Sequence, residues 1–508
     1  MDQHKFERLV LPDESYNSAL LQTAHPPAWR NPEPRDKYNL VVVGAGPAGI
    51  ITARAAVAVG AKVALIERDL VGGECINVGC IPSKAIIRTS RLYAEMRDAE
   101  NFGAQIPTGI KIDFPAAMER MRRIRARLSR FRGSAARLSS VGVDVYFGEA
   151  RFAGPDAIVV DNKTLRFKKA LIATGARPKS AAIPGLAEAG YLTNESVFDL
   201  TECPRRLMVI GGGPLGCELA QAFSRLGSRV TIVQDEPMFL GNEERDAAQI
   251  LSDALARDGI AVHLNTQTVG VRVPGKEKVV DLVSDGDKTT VTVDEILVGI
   301  GSKPNVEGMN LESAGVEYNS EDGIPINDFL QTSNPRIFAA GDVCSEHKFP
   351  HIETAAARIV VQNALFFGRR RLSALAIPWC TYTDPEIAHI GLYVTEARAK
   401  NIPVKTFTVL MHEVDRAITD GEEEGFVKIH VREGTDKILG ATVVASHAGE
   451  MICEISLAMS SGIGLGALAN VNHPYPTQAQ AIKMAADTYN STRMTPTLRW
   501  ILKQWLTW

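Results

Sequence analysis

Two kinds of hydrophobic run alternate along the chain: short, unbroken apolar stretches, and longer stretches where small and apolar residues recur at helical spacing. An unbroken run bounded by glycine fits a strand buried on both faces, and such strands separated by helices predict β-α-β units around a parallel sheet. Tyr38-Asn-Leu-Val-Val-Val-Gly44 is one such run; a small-residue helix over Ile50–Gly60 and a strand over Lys62–Ile66, ending at Glu67, follow it. The order repeats at Arg206-Leu-Met-Val-Ile210, with a helix over Cys217–Gly227 and a strand over Arg229–Val233. Val143–Val160 is strand-like, and Ala170-Leu-Ile-Ala and Phe338-Ala-Ala are further apolar segments. After Ile377 the pattern becomes alternating, in Gly425-Phe-Val-Lys-Ile-His-Val and Ile438-Leu-Gly-Ala-Thr-Val-Val, before a helix over Ala448–Ser461. The polar, proline-punctuated Met1–Asp36 reads as an extended arm laid over the body. At the other end Leu498, Ile501, Leu502, Trp505 and Trp508 form one helical stripe beside Arg499 and Lys503.

Composition narrows the picture. A chain of 508 residues exceeds what one core supports and predicts three or four domains. With 45% hydrophobic residues and a net charge of −3, neither nucleic acid nor an acidic surface is suggested as a partner. No signal peptide and no apolar run of about 18 residues is present, so the expected location is cytoplasmic. Seven cysteines, of which only Cys75 and Cys80 are closely spaced, fit a reducing compartment and a catalytic pair better than a disulfide framework. Arg120–Arg132 carries seven arginines in a helical pattern, which reads as a solvated face or, alternatively, as a site for an acidic partner.

The glycines carry the first chemistry. Gly44-Ala-Gly46-Pro-Ala-Gly49 lies between strand and helix, where glycine lets a backbone approach a pyrophosphate, and Glu67 follows where a carboxylate can accept from a ribose. Gly211-Gly-Gly213-Pro-Leu-Gly216 repeats the arrangement, so two dinucleotides are expected. The second unit continues Gln234-Asp235-Glu236 with no arginine before Arg245; two acids disfavour a 2′-phosphate, and NADH is favoured over NADPH. Between the two units stands Gly72–Lys84, GGECINVGCIPSK. Residues five apart on a regular helix have Cα atoms about 8.6 Å apart, beyond the roughly 7 Å a disulfide spans. A bonded Cys75–Cys80 pair therefore requires a distorted turn, for which Gly79 provides the freedom. Reduced, both thiols would lie near a helix N-terminus and Lys84, which favour thiolate.

GG-x-C-x-x-x-x-C-x-P-S-K resembles the active-site signature of the pyridine nucleotide-disulfide oxidoreductases, and the likeness extends over roughly residues 38 to 490. The resemblance implies an α/β fold with two Rossmann-like domains, for FAD and NAD(P), and a C-terminal α+β dimerisation domain. The implied division is an N-terminal arm (1–36), a first FAD-binding part (37–180), an NAD(P)-binding domain (181–302), a second FAD-binding or central part (303–371), the dimerisation domain (372–490) and an amphipathic tail (491–508). FAD would lie against Gly44, Gly46, Gly49 and Glu67, with Thr174 and Gly175 of an Ala-Thr-Gly segment marking a chain crossing and Asp342 contacting the ribityl chain. The nicotinamide cofactor would lie against Gly211, Gly213 and Gly216, with Glu218 pairing with Lys84 near the flavin. By analogy Cys80 faces the flavin, Cys75 attacks the substrate, and His351 heads a helix, Glu353–Phe367, that faces the ring.

The chain departs from the family in Asn472–Gln480. Lipoamide dehydrogenases and glutathione reductases place a histidine base immediately before Pro-Thr and a glutamate three residues after the threonine; here Tyr475 and Gln480 stand there, with His473 two residues earlier. Tyrosine near neutrality donates a hydrogen bond but holds no exchangeable proton. Tyr475-Pro476 is a candidate cis bond by the same resemblance. A tyrosine in this loop is similar to mercuric reductases, yet no cysteine follows Cys453. The expectation is a homodimeric FAD-dependent NAD(P)H:disulfide oxidoreductase acting on a disulfide or thiol-bound metal, with Tyr475 as a hydrogen-bond donor and no resident metal. The alternatives are a mercuric reductase-like enzyme, a dihydrolipoamide dehydrogenase, and a flavin-bound redox sensor. The tail would dock on its own dimer or touch a membrane surface.

Overall fold

The computed structural model describes residues 10–107, 111–345 and 349–507. By internal contacts the chain divides into two units, Met1–Met238 with Ile260–Leu375, and Phe239–Gly259 with Ala376–Trp508.

In the first unit the strands Val143–Phe147, Val63–Glu67, Tyr38–Val43, Lys163–Ile172 and Ile337–Ala339 pair in that order, each parallel to the next. The period of two along Tyr38–Val43 buries both faces. Leu40 and Val42 pack with Ala53 and Val360 from two helices, Pro47–Ala58 and Pro350–Leu365, while Val41 and Val43 pack with Leu165 and Leu311 on the other side. A second parallel sheet runs Ala261–His263, Arg229–Val233, Arg206–Ile210, Glu295–Val298, with an antiparallel trio (Thr266–Arg272, Lys278–Ser284, Asp287–Val293) beside it in sequence. The two chain crossings pair with each other, Ala176–Pro178 antiparallel to Ser302–Pro304.

Both glycine-turn helices start three residues earlier than the apolar pattern predicts, at Pro47 and Pro214 rather than Ile50 and Cys217. Proline is preorganised for a first helical turn and has no amide hydrogen to leave unbonded there. The helix expected over Glu353–Phe367 likewise begins at Pro350; His351 is exposed on its first turn, stacked on Phe349 with ring centroids 5.6 Å apart.

The arm is not extended throughout. Ser15–Ala24 is helical, and Leu20 and Ala24 join Val10, Leu70 and Ala126 in a small core. Ala126 belongs to the arginine helix Phe114–Arg132, and neither sequence reading of that helix accounts for its inward face. Arg122 donates to the Leu200 carbonyl (2.7 Å), Arg120 to the Ala85 carbonyl (3.0 Å), and Arg125 is 2% exposed.

The second unit holds an antiparallel sheet in the order Pro378–Thr381, Glu386–Gly391, Ile438–Ala445, Phe426–Arg432, Val404–Leu410, covered by Ala448–Ser460 and Gln480–Thr492. The segment Phe239–Gly259 is tied to it: Glu243 accepts from Trp379 Nε1 (3.0 Å) and the Tyr393 hydroxyl (2.8 Å), and Glu244 pairs with Lys428 and His430. The tail forms a helix, Pro496–Trp505, none of whose residues is buried; Trp508 lies outside the described residues. No described helix is long and apolar enough to cross a membrane.

Candidate redox site

The stretch around the two cysteines is not one helix but two, Gly73–Asn77 and Cys80–Arg97, with the break at Val78 and Gly79. Gly79 sits at φ −130°, ψ −114°, and a Cβ there would stand 3.0 Å from the Glu74 carbonyl oxygen. Cys75 thus lies inside a short helix and Cys80 opens the long one; both are half-buried free thiols.

The expectation that both thiols favour thiolate is corrected. A hydrogen bond joins Cys75 to Cys80 and holds Cys80 down at about 7, with the Lys84 ammonium aiding and burial opposing. The same bond, followed by burial, pushes Cys75 far above the ordinary thiol range. Two hydrogen-bonded sulfurs do not both ionise freely, so one of them, Cys80 beside Lys84, carries the anion. Lys84 Nζ is 2.7 Å from Glu218 Oε2, and Glu218 is buried on the helix Pro214–Arg225, so the second glycine unit supplies the carboxylate that fixes the lysine.

Cys75 also lines a cavity of about 810 Å³ bounded by Gly44, Gly46, Glu67, Thr174, Gly175, Asp342 and Glu353. The first glycine turn fits a pyrophosphate. A Cβ on Gly44 (φ +99°) would lie 2.2 Å from the Ala173 carbonyl oxygen and one on Gly49 1.9 Å from that of Gly44, whereas at Gly46 the nearest atom would be 4.0 Å away. Gly44 and Gly49 therefore close the backbone on itself, and Gly46 leaves the helix N-terminus open to the cavity. Glu67 accepts from the amides of Ala45 (2.7 Å) and Asp69 (2.8 Å), which aims its carboxylate along the cavity wall. Thr174 turns its hydroxyl to the Asn305 carbonyl (2.7 Å), consistent with a crossing rather than chemistry.

The second turn repeats the first. Cβ atoms on Gly211 and Gly216 would lie 2.5 Å from the Gly299 and 2.1 Å from the Gly211 carbonyl oxygens, while at Gly213 nothing lies within 4 Å. Gln234 Oε1 accepts from the Gly212 amide at 2.7 Å, as Glu67 does from Ala45. Its carbonyl closes the turn, leaving the NH2 group as the donor for a ribose.

Glu353 escaped the sequence reading because an acid in a first helical turn is unremarkable. Its Oε2 accepts from the Ala48 amide at 3.3 Å, and burial, with Asp342 adding, pushes its carboxyl up to about 8.

In the second unit Tyr475 is 71% exposed, its peptide bond to Pro476 is cis, and its hydroxyl donates to Asp415 Oδ2 at 2.7 Å. His473 Nε2 lies 3.0 Å from Glu454 Oε2 and Nδ1 3.3 Å from the Val471 carbonyl oxygen, and Gln480 begins the helix Gln480–Thr492. Asp415 and Glu454, 60 and 19 positions away, carried no sequence signal.

Two dinucleotide cradles with Cys75, one thiol of a hydrogen-bonded pair, on the wall of the first define a flavin-dependent thiol–disulfide oxidoreductase. Residues 38–358 match the sequence profile of the family described as pyridine nucleotide-disulphide oxidoreductase, and residues 377–486 that of its dimerisation domain; the chain belongs to this family. Among curated relatives, a mercuric reductase of Staphylococcus aureus is 34% identical over 89% of this chain and 82% of its own length. A dihydrolipoyl dehydrogenase of Thermus scotoductus is also 34% identical, over 89% of this chain and 97% of its own. Solved structures that superimpose include LpdA from Mycobacterium tuberculosis (TM-score 0.81, 29% identity, 89% of this chain and 99% of that one). The HOCl-induced flavoprotein disulfide reductase RclA from Escherichia coli, in its Cu(II) complex, also superimposes (TM-score 0.78, 25% identity, 89% and 100%). The protein is an FAD- and NAD(P)H-dependent disulfide oxidoreductase with the family's dimerisation domain.

Proposed function

We propose that the protein reduces a small disulfide with electrons from NADH, using Cys75 and Cys80 as the exchanging pair. The observation that carries this reading is the placement of the two thiols, hydrogen-bonded to each other across the Val78–Gly79 break, with Cys80 beside the Lys84–Glu218 pair and Cys75 on the cavity wall. Bound in the cradle of Gly44, Gly46, Gly49, Glu67 and Asp342, FAD supplies a two-electron carrier between a nicotinamide and the sulfur pair. NADH is preferred because Gln234, Asp235 and Glu236 offer a 2′-phosphate no cation.

The chain's own residues then account for the sulfur chemistry. Cys75 attacks one sulfur of the substrate; a Cys75–substrate disulfide forms, the substrate S–S bond breaks, and the Cys75 proton passes by way of Cys80 to the leaving thiolate, which leaves Cys80 as thiolate. Cys80, as thiolate, next attacks the Cys75 sulfur, closing Cys75–Cys80 and expelling the second substrate thiolate. One proton from the reduced pair and one from solvent complete two thiols. Lys84, anchored by Glu218, steadies the anion on Cys80 throughout. In the dimer Tyr475 would turn its hydroxyl from Asp415 to give a hydrogen bond to the departing sulfur.

A thiol-bound metal is the second reading, supported by the mercuric reductases among the relatives and by Tyr475 in the loop. Anaerobic titration with NADH, followed by a panel of disulfides and Hg(II) with excess thiol, tests both. The disulfide reading expects a long-wavelength thiolate-to-flavin band after the first equivalent and rapid turnover with one disulfide; turnover with Hg(II) alone would replace it, and absence of the band would overturn both.

A further inference from the structure

The buried members of the arginine helix and the arm before residue 38, which lies outside the matched family region, meet at one place. Arg125 donates from Nη1 to the Asn77 carbonyl oxygen at 2.8 Å and from Nη2 to Asn17 Oδ1 at 2.8 Å, and both asparagines are buried. Asn77 closes the short helix that carries Cys75, directly before the Val78–Gly79 break that delivers Cys80. The last carbonyls of a helix have no amide of their own helix to receive, and this one takes a guanidinium instead. The Asn77 side chain turns back to give Nδ2 to the Gly73 carbonyl (2.9 Å), so the short helix is held at both ends. Asn17, on the arm helix Ser15–Ala24, is itself fixed by donating Nδ2 to the Pro12 carbonyl (2.8 Å).

A guanidinium presents its donors in a rigid plane, so anchoring one edge fixes where the other edge points. Burial lowers Arg125 to about 10, which keeps the cation intact at neutral pH while its nearest acceptors are amide oxygens. This strut is costly to bury and has no role in the coenzyme cradles. We propose that the N-terminal arm is a positioning element for the redox pair: through Asn17 it holds Arg125 on the Asn77 carbonyl, and so fixes the break that keeps Cys75 and Cys80 in hydrogen-bond reach. The inference rests on the reading of Cys75 and Cys80 as the redox pair.

The test is the pH midpoint for iodoacetamide alkylation of Cys80 in the reduced holoenzyme, read by mass spectrometry. Asn17→Ala should raise it by about 0.5–1 pH unit, about a two- to fivefold loss of thiolate at pH 7. Asn17→Asp, which keeps an acceptor for Arg125 but loses the donor to the Pro12 carbonyl, should shift it less than Asn17→Ala does. Arg125→Lys, a single point of charge that cannot span both acceptors, should shift it in the same direction as Asn17→Ala and serves where that variant folds poorly. Asn31→Ala removes the arm's two 2.8 Å bonds to the backbone of Phe147, remote in sequence from Asn77, and should leave the midpoint at its wild-type value. A wild-type midpoint in both Asn17→Ala and Arg125→Lys, or an equal shift in Asn31→Ala, overturns the proposal. Absence of any thiolate titration in the wild type would instead overturn the redox-pair reading.

Discussion

Replacing Cys75 by alanine removes the hydrogen bond that is the largest support of the Cys80 thiolate, whereas serine keeps a donor in the same place. The thiolate stands at about 7 against an ordinary 9.0, a preference for the charged form of roughly 3 kcal/mol. A hydrogen bond to a charged acceptor contributes about 1.5–3 kcal/mol, so this contact alone is large enough, with Lys84 offsetting part of the burial cost. Cys75→Ala should therefore raise the Cys80 midpoint by at least about one pH unit, and Cys75→Ser should leave it near 7. Neither variant can form the disulfide, so the long-wavelength absorbance of the oxidised flavoprotein titrates Cys80 directly. The sign for stability follows: a depressed thiol stabilises the fold fully above about pH 9, and that contribution is lost as pH falls through about 7. Coincident titrations of the alanine and serine variants would refute the assignment of this hydrogen bond.

Glu353, raised to about 8 chiefly by burial, favours its protonated form in the fold; its contribution is complete below pH 4.5 and is lost as pH rises through about 8. At about 1.4 kcal/mol per pH unit the upper bound is a few kcal/mol, and Glu353→Gln should flatten the fall in Tm between about pH 5 and 8; parallel curves for the two proteins would count against it. Tyr475→His with Gln480→Glu restores the family's base and its partner and should raise dihydrolipoamide oxidation by about a hundredfold, the lower end of general-base catalysis; unchanged rates in a lipoamide assay would remove the case for a missing base. Gln234→Glu keeps the 2.7 Å bond to the Gly212 amide while adding a charge, so the NADH-to-NADPH ratio of kcat/KM should rise about tenfold, and a fall would reverse the coenzyme assignment.

The parts of this protein legible in sequence are those whose causes are local. Glycines flanking Ala45 and Gly212, apolar strands before them and Glu67 after them define the cradles without reference to anything distant. The starts of the helices at Pro47 and Pro214 lie outside the apolar pattern because the hydrophobic period begins only after the turn. Where the partner is remote, local pattern misleads. Seven arginines in one helix look solvated, yet Arg125 is buried because a carbonyl 48 positions earlier and a side chain 108 positions earlier receive it. The arm looked extended because its prolines dominate the pattern, while Leu20 and Ala24 needed Leu70 and Ala126 to make a buried face.

The loop at Asn472–Gln480 bears on the direction of the reaction. His473 turns both ring nitrogens toward its own chain, Nε2 to the Glu454 carboxylate and Nδ1 to the Val471 carbonyl. Tyr475 spends its hydroxyl proton on Asp415. Oxidising a dithiol requires that a proton be taken from the incoming thiol before sulfur can attack, and this loop offers no open imidazole for that. Reducing a disulfide makes the opposite demand: the expelled thiolates need protons, and the attacking thiol must lose one. Cys75, hydrogen-bonded to a sulfur held at about 7, has an acceptor for its proton within the pair. On the proposed reading the Cys75–Cys80 pair supplies its own proton acceptor in the reductive direction, so at neutral pH reduction depends less on the family's histidine than oxidation of a neutral dithiol does.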